Sequence, residues 1–544
     1  MINALLDNLA SISSSQHYIA VVREHPMQTL RIFIELIIQN ATYFQQLNGD
    51  FSSLSSSNTT QRITHLLRIF YNTLSEVPDK TEARTEQMMA SLLQFLLFQS
   101  SNIKFFSMGI LRVLMHANEQ LKKFVLDQHG LEIILKLISE NQNLRLLRQA
   151  LRTLTTLIDA KQQIFAEQFV RLDGINLIVT QIDILQPSSD DLYPALLTLK
   201  LVSDIPALAY MDLDRAIHLA IRGTLPPPIP QTTKPGGCIS GSAVDTFWRN
   251  IVNSLGFLRN VCALNERSRS YLTRLDEGRT ISHLVELATQ SFDLLFCSSS
   301  PSSSSSSPST TATTTNTTTS SSTPSNVEQL CCISNEIRKS HVEIGAKRKQ
   351  MLNTMLDECL CLLALVNKEY NKQNCVKING MANNREQKFA SKKLAEDERA
   401  MLLYQLILKL DRTEFQKSVL TSLRRILNSG ISLPIESRGI RLAETLLNYL
   451  FSRKTQIHLT KIAVEVLIGL VCDQSRLHLS VITPLLSTEN YQPFKLLDDF
   501  CNNSDMYLAI LKLTKELCQR EDTSESAFYD IFTQGMELDQ SGMS

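Results

Sequence analysis

What most constrains this chain is a helical phrase that recurs: an apolar run such as Ile103–Leu114, a polar turn, a break at a small residue or glycine, and a second apolar run such as Leu131–Ile138. A unit of that kind cannot bury its apolar stripe alone, so neighbouring units must stack. The phrase returns over Leu144–Gln163, Tyr193–Pro206, Trp248–Arg269, Leu352–Gln373 and Leu459–Ser475. In each, apolar residues come back three and four positions apart, the period of a helix with one buried face. Alternation is short wherever it occurs, and Ile251–Val261 keeps its helical period too long for a half-buried strand. The expected fold class is all-α, a right-handed superhelix of stacked helical units. A bundle of unrelated helices is the alternative, because amphipathic runs alone do not fix one stacking direction.

Hydrophobic residues make up 43% of the 544 residues, enough for a continuous core, and with a single Trp and 12 Tyr that core is aliphatic. Lys plus Arg and Asp plus Glu balance at 54 each, which removes any whole-chain electrostatic case for nucleic acid or membrane. The 11 cysteines, among them Cys331, Cys332, Cys359 and Cys361, show no zinc-site spacing with accompanying histidines. They read as reduced thiols of an intracellular protein. Met1–Ala10 is amphipathic rather than a leader, and no apolar run is long enough to span a bilayer. There is no glycine-rich phosphate loop, metal-spaced histidine pair or nucleophile motif, so neither an enzyme nor a cofactor is expected.

Composition divides the chain into four parts: repeats over 1–296, a Ser/Thr-rich insertion and polar linker over 297–350, further repeats over 351–520, and a flexible tail over 521–544. A first polar break at Ser52–Thr60 follows a helix over Met27–Gln46. Leu225–Ser242, rich in proline and glycine, interrupts the first set of repeats, as a joint between units or as a ligand for a small proline-reading domain. Cys297–Asn326 is nearly pure Ser and Thr with three prolines, and is expected to be disordered. It reads as an unconstrained insertion, with phosphorylation as the alternative. Lys372–Glu398 is taken as a charged loop. Lys347–Lys349 and the lysines of Lys388–Lys393 serve either nuclear import or ordinary solvated helix faces. The last helical section runs through Phe500 and then over Met506–Cys518.

Binding has the better support. Basic residues recur on or just after the candidate helices of the first half: Arg112, Lys122, Lys123, Arg145, Arg148, Arg152, Lys200, Arg259, Arg267 and Arg269. Lining one surface of a stack, they would receive successive carboxylates from an extended partner; the alternative is a charged exterior. Asn260, near a helix end, can clamp a partner backbone through its donor and acceptor, or cap a local turn.

These runs resemble the beta-catenin branch of the armadillo-repeat family. NIKFFSMGILRVLMHANEQLKKFVLDQHGLEIIL resembles the repeat that carries a groove lysine, which falls on Lys122; LRLLRQALRTLTTL places two basic groove positions at Arg145 and Arg152. ALLTLKLVSD resembles a segment with a Trp and an Arg, here Leu197 and Lys200. GFLRNVCALNERSR places the asparagine and lysine that receive a partner aspartate at Asn260 and Arg269. INALLDNLASISSSQHYIAVVREHPMQTLRIFIELI resembles the opening repeat. The resemblance spans most of Met1–Leu287 and, more diffusely, Met351 to Cys518.

It implies a groove scaffold, without direct nucleic-acid binding or membrane insertion, that holds an acidic segment of a T-cell-factor-type DNA-binding protein. Arg269 and Lys122 are the anchors, and the output is transcriptional coactivation in Wnt signalling from cytoplasm and nucleus. Cadherin tails and adenomatous polyposis coli-like or axin-like proteins are further acidic ligands of such a groove, and an adhesion component with a cell-junction pool is the competing role. Because the sequence opens on the first repeat, the reading expects no amino-terminal arm, and with it no alpha-catenin link.

Overall fold

A computed structural model describes residues 15–46, 57–140, 143–158, 163–185, 189–225, 241–297, 346–368, 380–410, 412–433, 436–437, 440–452, 456–472 and 503–520. Chain packing divides it into two compact units, Met1–Asn260 and Val261–Ser544.

In the first unit helices follow one another in threes, which in the two full inner sets run short, medium and long. They begin with α1 (Gln16–Glu24), α2 (Pro26–Gln46) and α3 (Ser57–Glu76), after which a 3-10 turn at Thr81–Ala83 replaces the short helix before α4 (Glu86–Phe95) and α5 (Ser101–Met115). Two full triplets follow: α6 (Glu119–Asp127), α7 (Gly130–Glu140) and α8 (Leu144–Leu157), then α9 (Gln163–Arg171), α10 (Gly174–Leu185) and α11 (Ser189–Val202). A 3-10 turn at Pro206–Tyr210, α12 (Asp214–Thr224) and α13 (Gly241–Leu264) complete the series.

The sequence punctuates each triplet in the same way. Asn118 caps α6, its Oδ1 accepting from the Leu121 amide at 3.1 Å, and Asn143 caps α8 through the Arg145 amide at 2.9 Å. Between the short and medium helices the chain turns on one left-handed residue, His129 (φ 57°) or Asp173 (φ 57°), followed by glycine. That glycine is sterically required, since a Cβ on Gly130 would strike Val125 and one on Gly174 would strike the Phe169 ring. Long helices then stack on long helices: α3 on α5, α5 on α8, α8 on α11. On α8 the residues Leu146, Leu147, Leu151, Leu154 and Leu157 are all buried, each contributing about 1.5–3 kcal/mol relative to exposure.

The second unit repeats the plan. It holds α14 (Glu266–Arg274), α15 (Arg279–Phe292) and α16 (Ala346–Val366), then α17 (Gly380–Glu396), α18 (Glu398–Lys409) and α19 (Thr413–Asn428). α20 (Leu442–Ser452), α21 (Ile457–Cys472) and α22 (Ser504–Arg520) close it, with α16, α19, α21 and α22 stacked in sequence. A buried polar network joins these layers. Asn367 Nδ2 donates to the Leu363 carbonyl at 3.0 Å, Ser391 Oγ donates to Asn367 Oδ1 at 3.3 Å, and Gln387 Nε2 donates to the Asn367 carbonyl at 3.3 Å. Ser391 and Gln387 also reach Ser429, and Tyr404 bonds Ser422 at 3.0 Å.

The structure corrects the reading in two places. Lys372–Glu398 is not a loop throughout: α17 occupies its second half and buries Ala390, Ser391, Leu394 and Ala395, while Phe389 packs on Gly278. The polar break after α2 ends earlier than Thr60, because α3 starts at Ser57. Among the described residues a two-residue strand pair, β1 (Glu436–Ser437) antiparallel to β2 (Ile440–Arg441), links α19 to α20 and leaves the all-helical class unchanged. The proline- and glycine-rich stretch 226–240, the Ser/Thr-rich insertion, 473–502 and the tail lie outside the described residues.

Candidate functional site

In the first unit the basic residues separate by environment. Arg145, Arg148 and Arg152 fall at i, i+3 and i+7 on α8, one face of the helix, and all three are exposed. The Arg145 guanidinium lies 4.1 Å from the centroid of the Phe105 ring on α5, a cation–π contact that favours this position. Phe105 continues into an aromatic row, edge-on to Phe106 at 5.3 Å, which in turn faces Tyr71 of α3 at 6.1 Å. Beside Phe105, burial holds the Lys104 ammonium below the ordinary lysine range.

Lys122 differs from these. Only 5% exposed, it sits in the second turn of α6 and its Nζ meets Glu119 Oε1 at 2.9 Å. Lys200, half-buried on α11, lies with its stem along Gly256 of α13, where a Cβ would come within 2.8 Å of the lysine Cε. Asn260 does not present a spare amide. Its Nδ2 donates to Ser203 Oγ at 2.8 Å and its Oδ1 accepts from Arg259 at 3.1 and 3.2 Å, tying the end of α13 to the end of α11. Clamping a partner backbone would require exchange of those bonds.

In the second unit Arg269 is 3% exposed. Its Nη1 donates to the Cys262 carbonyl at 2.7 Å, and its Nη2 lies 3.5 Å from Glu266 Oε1. The two expected anchors therefore share one environment, a cation sunk beneath a glutamate of its own helix, instead of an open charge.

Sequence reasoning missed a basic cleft in the second unit. An open groove of about 1240 Å³ is lined by Lys368, Arg424, Arg425 and Lys512, with Glu465 on one wall and Cys472 at its edge. Arg424 pairs with Glu465 at 2.5 Å, and Arg425 Nη1 donates to the Ala364 carbonyl at 2.5 Å. Burial first, and then the positive charges of Arg269 and Arg425, hold Lys368 below the ordinary lysine range, against the opposing pull of Glu266. A cation that is costly to keep charged gains from an incoming anion. The adjacent arginines Arg424 and Arg425 on α19 were the one signal in sequence that pointed here.

Chemistry beyond binding finds little material among the described residues. No three His, Cys, Asp or Glu side chains there converge as metal ligands, and no helix is long and apolar enough to cross a membrane. Cys359 is buried, its thiol pushed up by burial, and Cys361 on the same helix is half-buried and bonded to Ser418 at 3.3 Å.

No family model and no curated protein matches the sequence. Solved structures do. A complex of SYS-1 with POP-1 superposes with a TM-score of 0.55 at 14% identity, covering 94% of this chain and 87% of that one. SYS-1 alone gives 0.55 at 14% identity over 98% and 86%. A structure from work on a phosphorylation switch in the interaction between cadherin and beta-catenin gives 0.55 at 13% identity over 100% and 88%. At such identities the likeness speaks for the fold, and the fold of this chain is the all-helical armadillo-repeat architecture of those structures.

Proposed function

We propose that the protein is a beta-catenin-like scaffold that holds an extended acidic segment of a T-cell-factor-type DNA-binding protein and acts as a transcriptional coactivator in Wnt signalling, in cytoplasm and nucleus. The observation that carries this reading is the exposed arginine stripe of α8, with Arg145 held over Phe105. Long helices packed side by side lie about 8–10 Å apart, and an extended chain advances about 3.3 Å per residue. A segment crossing from α8 to its neighbours thus meets a new helix every third residue or so. Acidic residues at that interval would answer Arg145 and Arg152 on α8 and Lys200 on α11. The basic cleft around Lys368 and Arg425 offers the second unit a separate acceptor for the same chemistry. That SYS-1 was crystallised with POP-1 lends support, because it is a chain of this fold holding another protein.

A cadherin tail is the second reading, favoured by the likeness to the structure concerned with cadherin and beta-catenin. Acidic segments of adenomatous polyposis coli-like or axin-like proteins would use the same charges. The test is direct titration of the full chain with an acidic T-cell-factor-type peptide at two salt concentrations, alongside a cadherin-tail peptide. Salt-sensitive binding of the first is the expected result. Binding of the cadherin peptide alone moves the protein to adhesion, and binding of neither refutes the scaffold reading in both forms.

A further inference from the structure

The two buried anchors are built from one short phrase. Asn118-Glu119-Gln120-Leu121-Lys122 and Asn265-Glu266-Arg267-Ser268-Arg269 each place an asparagine at the helix cap, a glutamate at the first helical position and a base at the fourth. In each the asparagine Oδ1 accepts a backbone amide, from Leu121 at 3.1 Å and from Ser268 at 3.2 Å. The cap fixes the turn, and the turn sets glutamate and base on one face. The two members of each pair are unequally placed. The side chain of Lys122 is 6% exposed against 51% for Glu119, and that of Arg269 is 3% exposed against 33% for Glu266.

We propose that Glu119 and Glu266 are the specificity-determining residues of these anchors: each holds its cation in the free protein, and an acidic partner binds by taking that cation over. The inference rests on the acidic-segment reading above and says what such a segment must bring. A cation taken out of water needs a counter-charge, so a neutral side chain cannot displace the glutamate. A carboxylate can, because the glutamate stands at the rim and turns into water while the newcomer takes its place over the cation. One such exchange replaces one ion pair by another and gains little. The partner must therefore contribute charges elsewhere, at the arginine stripe of the first unit or the basic cleft of the second, and isolated acidic residues on unrelated proteins fail to bind. The anchors select for registered acidic segments instead of adding indiscriminate attraction.

Glu119→Gln, which keeps the size of the side chain and removes its charge, should tighten binding of the acidic peptide about tenfold and steepen its salt dependence; Glu266→Gln should act in the same direction. The gain should vanish when the facing peptide acid is changed to its amide, and also in a Lys122→Met background. Circular dichroism confirms that the titrated variants are folded, and affinities are compared for folded protein only. Wild-type binding with no gain in Glu119→Gln, or a gain that survives Lys122→Met, overturns the inference and leaves the scaffold reading standing. Absence of peptide binding by wild type and variants alike overturns the scaffold reading itself.

Discussion

Replacing Arg145, Arg148 and Arg152 together by alanine tests the central surface with the fold held constant. All three side chains are exposed, so their loss opens no cavity. In a helix alanine is at least as favourable as arginine. Removing Arg145 forfeits its contact with Phe105, about 0.5–1 kcal/mol at an exposed site. It also relieves a positive charge in the first turn of α8, where the helix dipole disfavours one by a comparable amount. Stability should therefore change by less than about 1 kcal/mol. Binding should not be spared. An exposed arginine–carboxylate pair contributes about 0.2–1 kcal/mol, and Arg145, already ordered by the ring, belongs at the upper end. The triple variant should thus lose about 1–3 kcal/mol of affinity for an acidic peptide, roughly fivefold to 150-fold. Fluorescence anisotropy at physiological salt and at 1 M separates charge from packing, since the screening length falls from about 8 Å to about 3 Å. The gap between wild type and variant should close to within about twofold at the higher salt. Equal affinities at physiological salt would refute the assignment of α8 as a partner surface. A gap that persists undiminished at 1 M would show that the contact is apolar and that the electrostatic argument is mistaken.

The remaining predictions concern the scaffold. Asn367→Ala removes the side chain at the centre of the buried network in the second unit, taking the Oδ1 acceptor from Ser391 and the Nδ2 donor from the Leu363 carbonyl while the backbone carbonyl that receives Gln387 stays; the cost should be about 1–3 kcal/mol, seen as a midpoint lowered by roughly 2–12 °C, and an unchanged midpoint would mean the network is idle. In the first unit, hydrogen bonds from Arg31 hold Glu82 below the usual carboxylate range, and those from Thr81 do the same for Asp79. With folded values below unfolded ones, both groups contribute fully above about pH 4–5 and lose their contribution as pH falls through the lowered values. Hydrogen-exchange protection factors over 79–84, taken relative to the intrinsic rate at each pH, should fall on acidification, and the fall should be blunted in Glu82→Gln; the same profile in wild type and variant would remove this carboxylate as the cause.

Much of the fold was legible in the chain because long helices with large apolar stripes announce themselves, and α5, α8 and α21 are of that kind. α17 was not legible because its buried face consists of Ala390, Ser391, Leu394 and Ala395, too small to stand out against the lysines around them. The site was legible in residue type and illegible in environment. Lys122 and Arg269 read as open anchors, but their depth is decided by helices that pack above and beside them, which no local spacing encodes. The basic cleft was lost for a related reason: Lys368, Arg425 and Lys512 come together only when α16, α19, α21 and α22 are stacked in sequence.

Basic residues near the ends of the long helices carry a further ambiguity. Arg112, Lys200 and Arg425 each lie in the last turn of theirs, where the helix dipole welcomes a cation whether or not a partner exists. Their recurrence is therefore weak evidence of a binding track. Arg145 stands at the opposite end of its helix, where a positive charge is unfavourable, and it is held there, exposed, by an aromatic ring from the preceding repeat. Local helix energetics do not explain that arginine. An acidic ligand of the kind proposed would, which is why the arginine stripe of α8, and not the helix-end cations, is the surface to test first.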